Sequence, residues 1–242
     1  MNKILCIGEA LIDMICTDKG KPLSEGENFL KKAGGAPTNV AAAVAALGGH
    51  VELAAKVGTD PFGDHLVAVM NSFGVKTKWM LQDKDHFTTF AFVSLMENGE
   101  RDFYFNRGAD GQLTHDEIDA IDVKEFSIIH FGSATAFLPG PLQIAYLSML
   151  QKALVANVFI SFDPNYRSLL FQNNKQSFID QSWNFLSRCH FFKVSDEEAM
   201  MLTGRSTVTD AVNDLLSRTA VFAVTLGKEG TLLALNGRTK IV

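Results

Sequence analysis

The chain has 242 residues, 47% of them apolar, and a net charge of −5. That supply of apolar side chains can bury the core of one α/β domain. The acidic balance offers no global field to draw in nucleic acid or an anionic membrane, so neither is expected as a partner. Cys6, Cys16 and Cys189 are odd in number and far apart, and read as reduced thiols rather than as a disulfide framework or metal site. The first apolar run meets Glu9 and Asp13 too soon for a signal peptide or a membrane span, which makes the cytoplasm the expected location.

Strand-like and helix-like runs alternate from the start. Residues 4–7 read as a strand continuing through 11–16, and 37–47 as an Ala-rich helix with Pro37 in its first turn and Gly48-Gly49 as its stop. Residues 51–57 form the next strand. Asp60-Pro61 opens a helix that runs to about Phe73 and ends at Gly74. Residues 88–96 and 102–105 then alternate apolar and polar side chains around Asn98-Gly99, the signature of an antiparallel ribbon inserted in a βα pattern. Strands at 128–131, 158–162, 191–194 and 221–226 follow, with helices at about 141–155, 176–188, 196–202 and 208–217. A hairpin of 231–235 and 238–242 turns at Asn236-Gly237. Such alternation predicts a mostly parallel sheet with helices on both faces, and ligands outside the carboxyl ends of its strands.

Those strand ends carry the candidate residues. Gly34-Gly35-Ala36-Pro37-Thr38-Asn39 runs a glycine pair into a helix start, which lets a ligand approach the backbone and meet the Asn39 amide. A tight turn explains the same glycines. Asp13 lies in an apolar run, where an inward carboxylate needs a partner such as vicinal hydroxyls; an edge position facing water would leave it idle. In Asp163-Pro164-Asn165-Tyr166-Arg167 the guanidinium is placed to clamp phosphate, although Asp-Pro-Asn is also good turn chemistry. Ser195-Asp196-Glu197-Glu198 is a capping box, which is compatible with Glu198 holding a magnesium-bound water. Thr225-Leu226-Gly227-Lys228-Glu229-Gly230 passes two glycines where phosphates or a hairpin turn would need them. The sequence has no G-x-G-x-x-G after its first strand, no P-loop, no H-E-x-x-H and no completed G-x-S-x-G elbow. Its six histidines form no pair at metal-ligand spacing.

Taken in order, these motifs resemble the ribokinase or PfkB family of carbohydrate kinases. The matching pieces are 7–13, 34–41, 57–64, 105–110, 163–167, 193–198 and 225–230, and they cover essentially the whole chain. The Gly-Gly-Ala-Pro-Thr-Asn and Asp-Pro-Asn-Tyr-Arg forms look most like those of fructokinases. The resemblance implies a three-layer αβα ribokinase-like fold with a mostly parallel central sheet. It also implies a small β-ribbon lid from about 10–33 and 86–107 that closes over the sugar and pairs two subunits as a homodimer. It places a furanose sugar on Asp13, Gly34, Gly35 and Asn39, with Phe103 or Phe105 packed on the ring. Arg167 would face the transferred phosphate of ATP, Thr225, Gly227 and Gly230 would lie along the nucleotide, and Glu198 would help place Mg²⁺ through water. Ser195 stands where many relatives have asparagine.

The implied activity is transfer of the γ-phosphate of MgATP to a sugar hydroxyl, with fructose as the expected sugar. A 2-keto-3-deoxygluconate kinase is a rival, because Arg107 and Arg167 would suit an acidic sugar. A non-catalytic sugar-binding or dimerisation fragment is another. The family's proton acceptor lies in a Gly-Ala-Gly-Asp motif that does not occur in this sequence. The resemblance therefore implies an incomplete kinase domain over 1–242, truncated at its C-terminal end and inactive by itself, with no catalytic base to name.

Overall fold

A computed structural model describes residues 2–219 and 221–242. In chain order its strands are β1 (Lys3–Ile7), β2 (Leu11–Cys16), β3 (Phe29–Gly34), β4 (His50–Gly58), β5 (Met80–Asp83), β6 (Phe90–Leu95) and β7 (Arg101–Asn106), followed by β8 (Ile128–Phe131), β9 (Phe159–Phe162), β10 (Phe191–Ser195), β11 (Val221–Thr225), β12 (Thr231–Leu235) and β13 (Arg238–Ile241). The helices are α1 (Ala36–Ala46), α2 (Pro61–Phe73), α3 (His115–Asp119), α4 (Pro141–Val155), α5 (Lys175–Leu186), α6 (Asp196–Thr203) and α7 (Val208–Arg218). Nine strands form the large sheet, in the order β13-β12-β11-β10-β9-β8-β1-β4-β5, parallel from β5 to β11 and antiparallel at the final hairpin. Four form a second sheet, β3-β2-β6-β7. This is the αβα ribokinase-like arrangement with its ribbon.

The first two apolar runs do not continue one another. The backbone turns at Gly8, with φ 145°, and sends β1 into the large sheet and β2 into the small one. A Cβ at Gly8 would come within 2.5 Å of Ser133 Cβ, so the turn is open only to glycine. Two strands escaped the period-2 pattern. β3 carries Lys31-Lys32 along an exposed edge, where charge is the usual defence against edge pairing. β5 is only four residues long.

Helices cover both faces of the large sheet. Beneath one face, α1 and α2 pack small and aliphatic residues such as Ala41, Leu66 and Met70 against Cys6, Leu53 and Val57. On the other, α4–α7 enclose an aromatic core. Phe185 lies 5.0–5.4 Å, centroid to centroid, from Phe131, Phe137, Tyr146 and Phe162. It is fully buried. Phe185→Ala is expected to cost about 3–5 kcal/mol through lost transfer energy and an unfilled cavity, to be read as a lowered urea midpoint at unchanged slope.

The turns close as their chemistry requires. Asp60 accepts from Phe62 N (3.0 Å) and Gly63 N (2.9 Å) at the start of α2, and Gly74 ends that helix at φ 88°. No helix among the described residues is long and apolar enough to cross a membrane.

Candidate active site

The small sheet stands over the carboxyl ends of the large sheet's strands, and its register decides which side chains face the gap. Asp13 pairs with Ala91, which pairs with Phe105, and Phe103 lies two residues from Phe105 on the same face. Alternation puts Leu11, Asp13, Ala91, Phe103 and Phe105 on this side. Phe90, Phe92 and Tyr104 go to the other, where they pack on one another, with Phe90 also against Phe62. Beneath the first group is a cleft of about 170 Å³, lined also by Glu9, Gly35, Asn39, Thr135, Asn165 and Arg167.

Asp13 is half-buried and makes no side-chain hydrogen bond among the described residues. Burial pushes its carboxyl above the ordinary range, and the Arg167 guanidinium pulls it partly back. Asn39 sits in the first turn of α1 with its amide exposed and its backbone N–H on the Gly35 carbonyl at 2.9 Å. The glycines below have separate reasons to lack a side chain. Gly35, at φ 106°, would drive a Cβ into the Glu9 carbonyl; Gly34 would drive one into the Asp13 carboxylate. Thus Asp13, Gly34, Gly35, Asn39, Phe103 and Phe105 are brought together, with Gly34 acting from behind Asp13 rather than from the cleft wall.

A second cleft of about 410 Å³ adjoins the first. Asn165 and Arg167 line both, and Lys175, Lys193, Ser195 and Glu198 belong to the second. Asn165 holds φ 51° in the turn after β9, which aims the chain towards Arg167. Glu198 is buried and stitches the two strand-end loops together. One oxygen accepts from Ser195 N (2.7 Å) in the capping box, the other from Tyr166 N (2.6 Å). Lys193 pairs with Asp163 at 2.9 Å; the Asp163 carboxyl is raised by burial against the pull of Lys193. Glu198→Ala is expected to cost about 1–2 kcal/mol by stranding two half-buried N–H groups, seen as a lower Tm and faster amide exchange at Tyr166.

Both oxygens of Glu198 keep a lone pair beyond these bonds, and Mg²⁺ needs only one or two carboxylates beside substrate phosphates and waters. The donor set fits a water-mediated role. Among the described residues no cluster of three or more His, Cys, Asp or Glu side chains forms a metal cage.

The remaining nucleotide candidates lie at the same sheet edge but outside this lining. Thr225 pairs with Ser195 in the ladder and its hydroxyl is 3.5 Å from the Val194 carbonyl. Gly227 (φ 58°) and Gly230 (φ 101°) shape the turn beyond it, and a Cβ on Gly230 would meet the Val242 carbonyl, so hairpin closure already requires that glycine. Arg107 is turned away from the sugar-side cleft. Its guanidinium donates to the Pro139 (3.0 Å) and Thr135 (3.2 Å) carbonyls and sits 3.6 Å from Asp110.

Glu9 and Asn165 join the predicted residues in lining the sugar-side cleft. Glu9 lies two residues past β1, and that strand-end position is its signal in the sequence. Lys175, at the first position of α5, had no such signal.

A mostly parallel sheet with two joined clefts at its carboxyl edge, one holding a free carboxylate and amide under the small sheet and one lined by Arg167, Lys175 and Lys193, defines a ribokinase-like small-molecule kinase. The family description "pfkB family carbohydrate kinase" matches residues 1–242, and the chain belongs to that family. It is 36% identical over 231 residues to probable fructokinase-4 of Arabidopsis thaliana, covering 94% of this chain and 70% of that protein. Fructokinase from Vibrio cholerae O395, in its fructose, ADP and calcium ion bound form, superposes with a TM-score of 0.83 at 27% identity, covering 100% of this chain and 76% of that one. A sugar kinase of Pyrococcus horikoshii in complex with ATP gives 0.87 at 29% identity, covering 99% and 76%.

Proposed function

We propose that this chain binds fructose in the cleft beneath the lid and MgATP in the adjoining one, for transfer of the γ-phosphate to a sugar hydroxyl. The observation that carries the reading is the position of Arg167, which lines both clefts and so stands where a polyphosphate would meet a hydroxyl. Asp13 and Asn39 would take vicinal hydroxyls, with Phe103 and Phe105 against the ring. Gly35 keeps the cleft wall clear, and Gly34 leaves room for the Asp13 carboxylate. Glu198 would orient Mg²⁺ through water, and Thr225, Gly227 and Gly230 would border the nucleotide. Phosphoryl transfer needs little beyond positioning and charge stabilisation, which this arrangement supplies in part.

A neutral sugar is favoured over an acidic one. With Arg107 committed to backbone carbonyls and Asp110, the cleft offers one guanidinium, Arg167, and it faces Asp13. The likenesses to fructose-bound and ATP-bound kinases support the same assignment. Apolar side chains of the small sheet, Leu30 and Leu95 on the face that bears Asp13 and Tyr104 on the other, are exposed and suit pairing with a second copy. No residue is assigned as the base, because no Gly-Ala-Gly-Asp occurs in these residues, and low turnover is expected of this chain alone.

The test is ADP release from MgATP with and without fructose, beside the Tm shift fructose produces. Turnover or a fructose-dependent Tm rise supports the reading, the second alone meaning a binding site without its base. Neither signal, with another sugar raising the Tm, would remove fructose from it.

A further inference from the structure

Helix α1 bears Asn39, yet it begins at Gly35, which has no side chain with which to cap it. The first helical N–H, that of Ala36, donates instead to Oε1 of Glu9 at 2.8 Å, from the strand end 27 residues earlier. The same oxygen accepts from Ala134 N at 3.3 Å, and Oε2 accepts from the Ser133 hydroxyl. That direction follows from the Ser133 oxygen, which already accepts from Thr135 N (3.2 Å) and Ala136 N (2.9 Å) and so has its hydrogen left to give. The Glu9 carbonyl takes the Thr38 hydroxyl at 3.0 Å.

Glu9 is almost completely buried, and no salt bridge to it occurs among the described residues. A buried carboxylate without a cation is unfavourable unless donors and a helix N-terminus compensate it. A Ser or Asp at position 35 would normally provide the cap locally. Here that is impossible, because a Cβ at Gly35 would collide with the Glu9 carbonyl. The cap is imported, and in being imported it joins two walls of the sugar-side cleft: the helix start carrying Asn39 and the loop after β8 carrying Ala134 and Thr135.

We infer that Glu9 is a positioning residue for the sugar site, acting as the N-cap of α1 in place of Gly35 and fixing Asn39 relative to the 133–135 loop. The inference rests on the reading of that cleft as a sugar site. It is tested in the full chain with Glu9→Leu, which removes the acceptor at similar length, and Glu9→Gln, which keeps the oxygen facing Ala36 and Ala134. Calorimetric titration with fructose is expected to give a Kd about tenfold higher for Glu9→Leu and within about threefold of the parent for Glu9→Gln. A loss in Glu9→Leu, which keeps the bulk, is a result that a general packing role does not predict, and rescue by glutamine ties that loss to the acceptor oxygen rather than to the charge. Unchanged affinity in Glu9→Leu, or equal loss in both variants, would overturn it. The parent protein gives an independent readout, a scalar coupling across the hydrogen bond between the Ala36 amide nitrogen and the Glu9 carboxyl carbon. Its presence supports the inference and its absence overturns it, whether or not Glu9→Leu folds. If the parent does not bind fructose, the fructose reading fails on its own and the coupling decides the role of Glu9.

Discussion

Replacing Asp13 with asparagine is expected to weaken fructose binding by about 100-fold or more while leaving the free protein as stable as before, or more so. Two hydrogen bonds from sugar hydroxyls to a carboxylate are worth about 1.5–3 kcal/mol each, so losing the charged acceptor removes at least about 3 kcal/mol. The stability half has the opposite sign because the fold leaves this carboxylate half-buried with no donor among the described residues. Its pKa is raised chiefly by burial. For an acid raised in the folded state, ionisation disfavours folding, so the penalty is present at neutral pH and vanishes below the ordinary carboxylate range. Asp13→Asn should therefore melt at or above the parent temperature at pH 7, and the difference should close on acidification. A large fall in Tm at pH 7 would mean that Asp13 supports the fold rather than a ligand.

The glycine pair makes the second large prediction, because its two members should fail differently. Gly35→Ala puts a Cβ against the backbone of Glu9 at φ 106°. Neither the conformation nor the contact can relax cheaply, and a loss of about 3 kcal/mol or more of stability is expected. Gly34→Ala meets instead the mobile end of the Asp13 side chain, with the Leu11 methyl 3.0 Å away. The carboxylate can swing aside, so the protein should melt within a few degrees of the parent, yet fructose affinity should fall nearly as far as in Asp13→Asn. Denaturant melts and fructose titrations on the two variants check this. Equal destabilisation of both would show that Gly34 serves the backbone and not the site.

Much of this architecture is legible in the sequence. Strands β8 to β11 announce themselves as short apolar runs between helical segments, and the small sheet's hairpin by Asn98-Gly99. The rest was hidden for identifiable reasons. Whether residues 4–7 and 11–16 form one strand or two depends on Gly8, whose φ of 145° is set by close approach to Ser133, a contact across 125 positions. β3 shows no alternation because its lysines guard an edge. Among site residues, Asp13 was visible as a carboxylate within an apolar run and Asn39 and Arg167 as polar groups past strand ends, and the structure gathers them around one cleft. Glu9 holds a strand-end position too, but the work of its buried carboxylate on backbone N–H groups is one that no spacing in the sequence records. Arg107 shows the converse. A guanidinium beside a strand end reads as an anion ligand, and only the fold reveals that carbonyls at Thr135 and Pro139 have claimed it.

The Glu198 bridge links these observations to chemistry. Because one carboxylate holds both the start of α6 and the Tyr166 backbone, the loop carrying Arg167 is tied to the loop that would face the metal. A site held this way is positioned before substrate arrives, which is what a reaction dependent on alignment requires.

Parallel calorimetric titrations with fructose, 2-keto-3-deoxygluconate and ribose decide whether the cleft of Asp13, Asn39 and Arg167 receives a neutral furanose. Saturable binding of fructose, weaker binding of the other two, and loss of the fructose signal in Asp13→Asn are expected. Tight binding of 2-keto-3-deoxygluconate with none of fructose, or fructose binding untouched by Asp13→Asn, would contradict it.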